Sequence, residues 1–191
     1  MSTDGVALGI LELEHIARGL LVSDAVVKKA PISILRSTPV SGGKYLVFLR
    51  GGVAEMEESM AAGRDVGGDA IIDWLLLPFA ADQLWEHIPS TTRDQGWAGD
   101  DESESVAIVE TRSVCAAVHA ADAAVKCAPV TVRDMQLAVG ISGKAFFTMT
   151  GRLFDVEAAA EAAREVAGDR VLDLQLITQP ADEIRGKLII P

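Results

Sequence analysis

Two glycine segments, each followed by a lysine, are the first places to look for chemistry: Ser41-Gly42-Gly43-Lys44 and Ile141-Ser142-Gly143-Lys144. A phosphate-cradling loop needs G-x-x-x-x-G-K-[ST]. That spacing is missing here, and Tyr45 or Ala145 stands after the lysine. Taken by themselves the segments read as tight turns between strands, where glycine supplies the positive φ. Lys44 and Lys144 read as solvated charges at strand edges. The histidines, His15, His87 and His119, are scattered, and no HExxH, paired-cysteine or His-Asp-Ser pattern occurs. Glu55, Glu57, Glu58, Glu157 and Glu161 fall on helical stretches and read as solvated faces or subunit contacts. The residue types predict neither an enzyme nor a metal or cofactor site.

The elements that must carry these loops come from an apolar but aromatic-poor chain. Of 191 residues, 49% are hydrophobic and only 5% aromatic, which predicts cores of small aliphatic side chains packing short helices on a sheet. The formal net charge of -11 opposes a phosphate backbone, so no nucleic acid is expected as a partner. No apolar run approaches the roughly 18 residues of a membrane span, and no signal peptide is apparent, so a soluble, cytosolic chain is expected. Cys115 and Cys127 share one helical stretch, about 18 Å apart at ~1.5 Å per residue, too far for a disulfide. Buried free thiols are expected.

The chain repeats itself. Residues 9–31 (GILELEHIARGLLVSDAVVKKAP) align with 107–129 (AIVETRSVCAAVHAADAAVKCAP), sharing Ile10/Ile108, Glu12/Glu110, Asp24/Asp122, Val27/Val125, Lys28/Lys126 and Pro31/Pro129. After a loop slightly longer in the second copy, SGGKYLVFLRG meets ISGKAFFTMTG and VAEMEESMAAGRDVGGD meets LFDVEAAAEAAREVAGD. Ala81-Asp82-Gln83-Leu84 faces Ala181-Asp182-Glu183-Ile184. Each copy predicts the order β-α-β-β-α-β-α, an α+β unit with a four-stranded antiparallel sheet flanked by helices. Ile16, Leu20 and Val27 have the spacing of an apolar helix face, as do Val114, Val118, Ala121 and Val125. Proline ends that helix in both copies, and Gly67-Gly68 or Gly168 ends the next. The expected division is 5–88 and 105–187 as two domains, with the polar, acidic segment 89–104 as linker.

The EL/ET strand end, the D-A-x-V-K-x-A-P helix end, the glycine loop before an apolar strand, and the [VL]-x-[DE]-[VM]-E helix closing in G-D together resemble the bacterial microcompartment (BMC) shell domain. Two in-order copies resemble the tandem-domain shell proteins, of the single-layer type. The resemblance implies a homotrimer that forms a flat pseudohexagonal tile in the shell of a microcompartment in the bacterial cytoplasm. Its implied partners are hexameric and pentameric shell proteins, with small metabolites passing a central pore. It places Ser41, Gly42, Gly43, Ile141, Ser142 and Gly143 around that pore, with Lys44 and Lys144 as charges near its mouth. It gives Lys28 and Lys126 a role in packing tile against tile, beside their favourable position at helix C-termini. Some tandem relatives carry a cysteine at the position of Ser41 and hold an iron–sulfur cluster there. Serine is a poor iron ligand beside thiolate, so no cluster is expected. Trp74, Trp85 and Trp97 are expected in the core, at the tile edge and in the linker. A trimeric small-ligand-binding or signalling α+β regulator is the alternative reading.

Overall fold

The computed structural model describes residues 6–88 and 105–181. The expected linker, Trp97 within it, and residues 182–187 of the expected second domain lie outside the described residues. The first copy forms β1 (Ala7–Leu13), α1 (Ile16–Lys29), β2 (Ser33–Pro39), β3 (Tyr45–Gly51), α2 (Val53–Gly67), β4 (Ile71–Leu77) and the short α3 (Leu84–His87). The second forms β5 (Ser105–Thr111), α4 (Val114–Cys127), β6 (Thr131–Leu137), β7 (Ala145–Gly151), α5 (Leu153–Ala167) and β8 (Val171–Thr178). The strands make two four-stranded antiparallel sheets, ordered β2-β3-β1-β4 and β6-β7-β5-β8. This is the fold class the repeat predicts.

The prolines stop the first helices through the residue before them. Ala30 (φ -148, ψ 161) and Ala128 (φ -146, ψ 158) are extended, as steric clash with the proline ring requires. α2 and α5 end at Gly68 and Gly168, with φ of 53 and 56. Both residues donate their N–H to an orphan carbonyl, Arg64 O or Arg164 O. In β6 the alternation of Val130 and Val132 with Met135 and Leu137 changes phase. A bulge between Val132 and Asp134 inserts Arg133, so that Val132, Met135 and Leu137 pair with Met149, Phe147 and Ala145 and share one buried face. β2 carries the same bulge between Ile34 and Arg36.

The described chain forms two compact units that cut across the repeat. One takes residues 6–80 together with Ala138–Gly143, and the other takes 81–88, 105–137 and 144–181. The second glycine loop thus belongs to the first unit, and α3 to the second. The first unit's core joins Leu11, Leu13, Val22, Val26, Tyr45, Val47, Leu49, Met56 and Met60.

α1 corrects the sequence expectation. Its buried residues are Gly19, Val22, Ser23 and Val26, whereas Ile16, Leu20 and Val27 are 43%, 58% and 40% exposed. The inner face places Gly19 against Tyr45 and sends Val22 and Val26 into the core, which leaves Ile16, Leu20 and Val27 off that face. In α4 three residues of the expected face, Val114, Val118 and Ala121, are fully buried, and the fourth, Val125, is half-buried. Trp74 is not a core residue: it is 43% exposed on edge strand β4, with Arg64 stacked 4.1 Å from its ring. Cys115 is buried as expected, but Cys127, in the last turn of α4, is exposed.

Candidate functional site: the paired glycine loops

The first loop follows Pro39, where β2 can no longer donate to a ladder. Val40 N–H donates to Lys44 O at 2.9 Å and closes the turn. Inside it Gly42 (φ 80) and Gly43 (φ 75) are left-handed, the conformation that glycine adopts without a Cβ penalty. The second loop is more contorted. Ala138 (φ 65), Gly140 (φ 78), Ser142 (φ 54) and Gly143 (φ 77) are all left-handed, two of them without being glycine. A non-glycine residue held there costs free energy and persists only when its surroundings fix it.

Those surroundings are the first loop. Ser41 Oγ accepts from Gly140 N–H at 2.9 Å, and Lys44 Nζ donates to Gly143 O at 3.1 Å. A Cβ on Gly143 would stand 3.0 Å from Ser41 O, and one on Gly42 3.6 Å from Ser142 O. The structure therefore brings the two predicted loops together through Ser41, Gly42, Ser142 and Gly143, with Lys44 as the clasp.

Lys44 also donates to Glu12 Oε1 at 2.8 Å, and Glu12 is fully buried on β1. A buried carboxylate needs such a partner, so the charge of Lys44, 20% exposed, is committed inside the protein. Lys144 makes the matching pair with Glu110 at 2.8 Å, but there both groups stay open to water, at 50% and 37% exposure. Of the two lysines only Lys144 keeps a largely accessible side chain. Lys28 and Lys126 lie instead on α1 and α4, each paired with the aspartate one turn earlier, Asp24 and Asp122.

Sequence reasoning about the loops missed Glu12 and Glu110. The signal was present: a glutamate and a lysine are retained together in both copies, 32 and 34 residues apart. It also missed the role of the segment after β4. Ala81 N–H donates to Asp122 Oδ1 at 2.8 Å. The Gln83 amide donates to Val130 O at 3.0 Å and accepts from Val132 N–H at 2.9 Å. A side chain thus occupies the open edge of β6 as a neighbouring strand would. Among the described residues no group of three or more His, Cys, Asp or Glu is placed to hold a metal ion, and no helix is long and apolar enough to cross a membrane.

Two copies of a β-α-β-β-α-β sandwich with these glycine loops define a duplicated α+β domain, and comparison with known proteins says which. The model of the BMC domain matches residues 7–79 and again 105–180. The chain belongs to the BMC-domain family and carries the domain in tandem. It is 37% identical over 166 residues to the bacterial microcompartment shell protein PduT of Citrobacter freundii, covering 87% of each chain. Its fold is similar to the crystal structure of a microcompartment protein from Desulfitobacterium hafniense DCB, with a TM-score of 0.78, 31% identity, and coverage of 93% of this chain and 97% of the other. The fused permuted hexameric shell protein MSM0275 from the RMM microcompartment shares the fold at a TM-score of 0.59 and 18% identity, over 84% of this chain and 80% of that one.

Proposed function

We propose that this protein is a structural shell component of a bacterial microcompartment. The observation that carries this is the tandem BMC domain, matched together with a shell protein at 37% identity over 87% of both chains. Three copies assemble into a pseudohexagonal tile in the shell facet, beside hexameric and pentameric shell proteins, within the bacterial cytoplasm. The clustered loops, Ser41, Gly42 and Gly43 with Ile141, Ser142 and Gly143, line a central pore for small metabolites. Their backbone groups and the Ser142 hydroxyl supply polar contacts to a passing metabolite. Lys144, the more accessible lysine, sits at the pore mouth. The tile performs no chemistry of its own, and the family assignment favours this reading over a small-ligand regulator.

Native mass by sedimentation and electron microscopy of the purified chain test the reading together. The expected result is a three-chain particle with a flat hexagonal outline that grows into sheets. A monomer or plain dimer at all concentrations overturns it.

A further inference from the structure

The loops that line the proposed pore hold no ionisable side chain. Val40-Ser41-Gly42-Gly43 and Ala138-Val139-Gly140-Ile141-Ser142-Gly143 contain no Asp, Glu, His, Lys or Arg. Their polar groups are peptide N–H and C=O and the hydroxyls of Ser41 and Ser142. Ser41 Oγ already accepts from Gly140 N–H, and a hydroxyl that accepts keeps its own proton to donate. Such groups match a hydroxyl or carbonyl oxygen without any charge on either side.

The charges nearest in sequence are the lysines that follow each loop, and each meets an excess of carboxylate. In the first unit Lys44 Nζ stands 2.8 Å from Glu12 Oε1, and Asp73 lies opposite Glu12 in the β1–β4 ladder. In the second unit Lys144 Nζ stands 2.8 Å from Glu110 Oε1, and Asp173 lies opposite Glu110 in the β5–β8 ladder. Each place sets two carboxylates against one ammonium, so neither lysine adds net positive charge. The whole chain carries the same sign, with a net charge of -11. An anion entering there loses hydration, meets no fixed cation in exchange, and is repelled by the surrounding field. An uncharged polar molecule gives up far less and replaces its hydrogen bonds from the loops.

We propose that the pore admits small uncharged hydroxyl or carbonyl compounds in preference to anions, and that Glu110, by cancelling the charge of Lys144, sets this preference. The inference rests on the pore proposed above and names its substrate class. Of the two glutamates, Glu110 is the one whose role can be read by substitution. Its pair with Lys144 is open to water, at 37% and 50% exposure, whereas Glu12 is fully buried. Neutralising Glu110 therefore uncovers a positive charge without leaving a cation buried in the core.

The test lays assembled sheets of the full chain across a nanoporous support and follows two probes of similar size, glycerol and glycerate. Only sheets that exclude a dextran too large for any pore are measured. Glycerol is expected to cross about tenfold faster than glycerate at low salt, once free diffusion is allowed for. Glu110→Gln is expected to narrow that gap by speeding glycerate. Adding Lys144→Gln to it should restore the wild-type ratio, because the uncovered charge is gone. Glycerate that crosses as fast as glycerol, or a ratio that Glu110→Gln leaves unchanged, overturns the proposal and leaves the pore standing. A double variant that keeps the narrowed gap overturns it too, since the single change then acted through structure. Sheets that hold back both probes overturn the pore itself.

Discussion

The ring of Tyr45 lies directly on the helix backbone at Gly19: a Cβ there would stand 2.3 Å from Cδ1 and 2.4 Å from Cγ of the ring. From the ring a hydrogen-bond chain runs back to the same helix. Tyr45 OH meets Ser37 Oγ at 2.9 Å, Ser37 meets Ser23 Oγ at 2.7 Å, and Ser23 donates to Gly19 O at 2.9 Å. The second copy fills the same place with Ala117, Ala121, Met135 and Ala145. One position in the repeat is thus built once around a ring with a polar relay, and once from small apolar groups.

Gly19→Ala is expected to cost about 2 kcal/mol, because the added methyl overpacks the ring against the helix. Tyr45→Ala opens a cavity instead. The double variant restores the Ala–Ala pair of the second copy and should cost less than the two single changes summed, a coupling that urea unfolding of all four proteins measures. Simple additivity would show that the two residues do not share this space.

Lys44 and Lys144 make pairs of equal length in different surroundings, and their removal should differ accordingly. Lys44→Ala removes a charge partner from the buried carboxylate of Glu12, for a loss of about 3 kcal/mol. Lys144→Ala breaks a solvated pair worth less than about 1 kcal/mol. Thermal unfolding distinguishes the two. Equal effects would mean that Glu12 does not depend on Lys44.

The loop glycines are also unequal. A Cβ at Gly43 meets nothing within 4 Å, so Gly43→Ala pays only for its left-handed backbone, about 1 kcal/mol. Gly143→Ala adds the close approach to Ser41 O at 3.0 Å and is expected to be the more destabilising. Because Ser41 Oγ accepts from Gly140 N–H, the clash with Ser41 should also speed hydrogen exchange at that N–H. Matching effects at both positions would contradict the paired-loop geometry.

Lys28 and Lys126 are exposed cations on the first helix of each copy. Replacing both with alanine should leave the fold and the three-chain particle intact while reducing sheet formation in electron micrographs. Unchanged sheets would remove them from the packing of tile on tile.

The repeat was legible because each copy writes its elements in local chemistry: proline after the first helix, glycine after the second, alternation along the strands. The misreadings have causes beyond the local pattern. The face of α1 was misread because helical spacing marks apolar residues without saying which neighbour they meet. The residues with the right period, Ile16, Leu20 and Val27, lie away from Tyr45, and the helix packs through Gly19 and Ser23 instead. Trp74 was misplaced because a large aromatic on an edge strand can be covered from one side only.

By itself the sequence determined the duplication, the element order and the candidate loops, since all three are set by residue type and spacing along the chain. Only the tertiary structure decided which residues meet. It clasped the two glycine loops through Ser41 and Lys44, buried Glu12 but not Glu110 in the same motif, and gave α3 to the second unit. These outcomes rest on contacts between residues as much as 99 positions apart. A buried charge or an open strand edge takes the nearest partner in space, and sequence distance does not enter that choice.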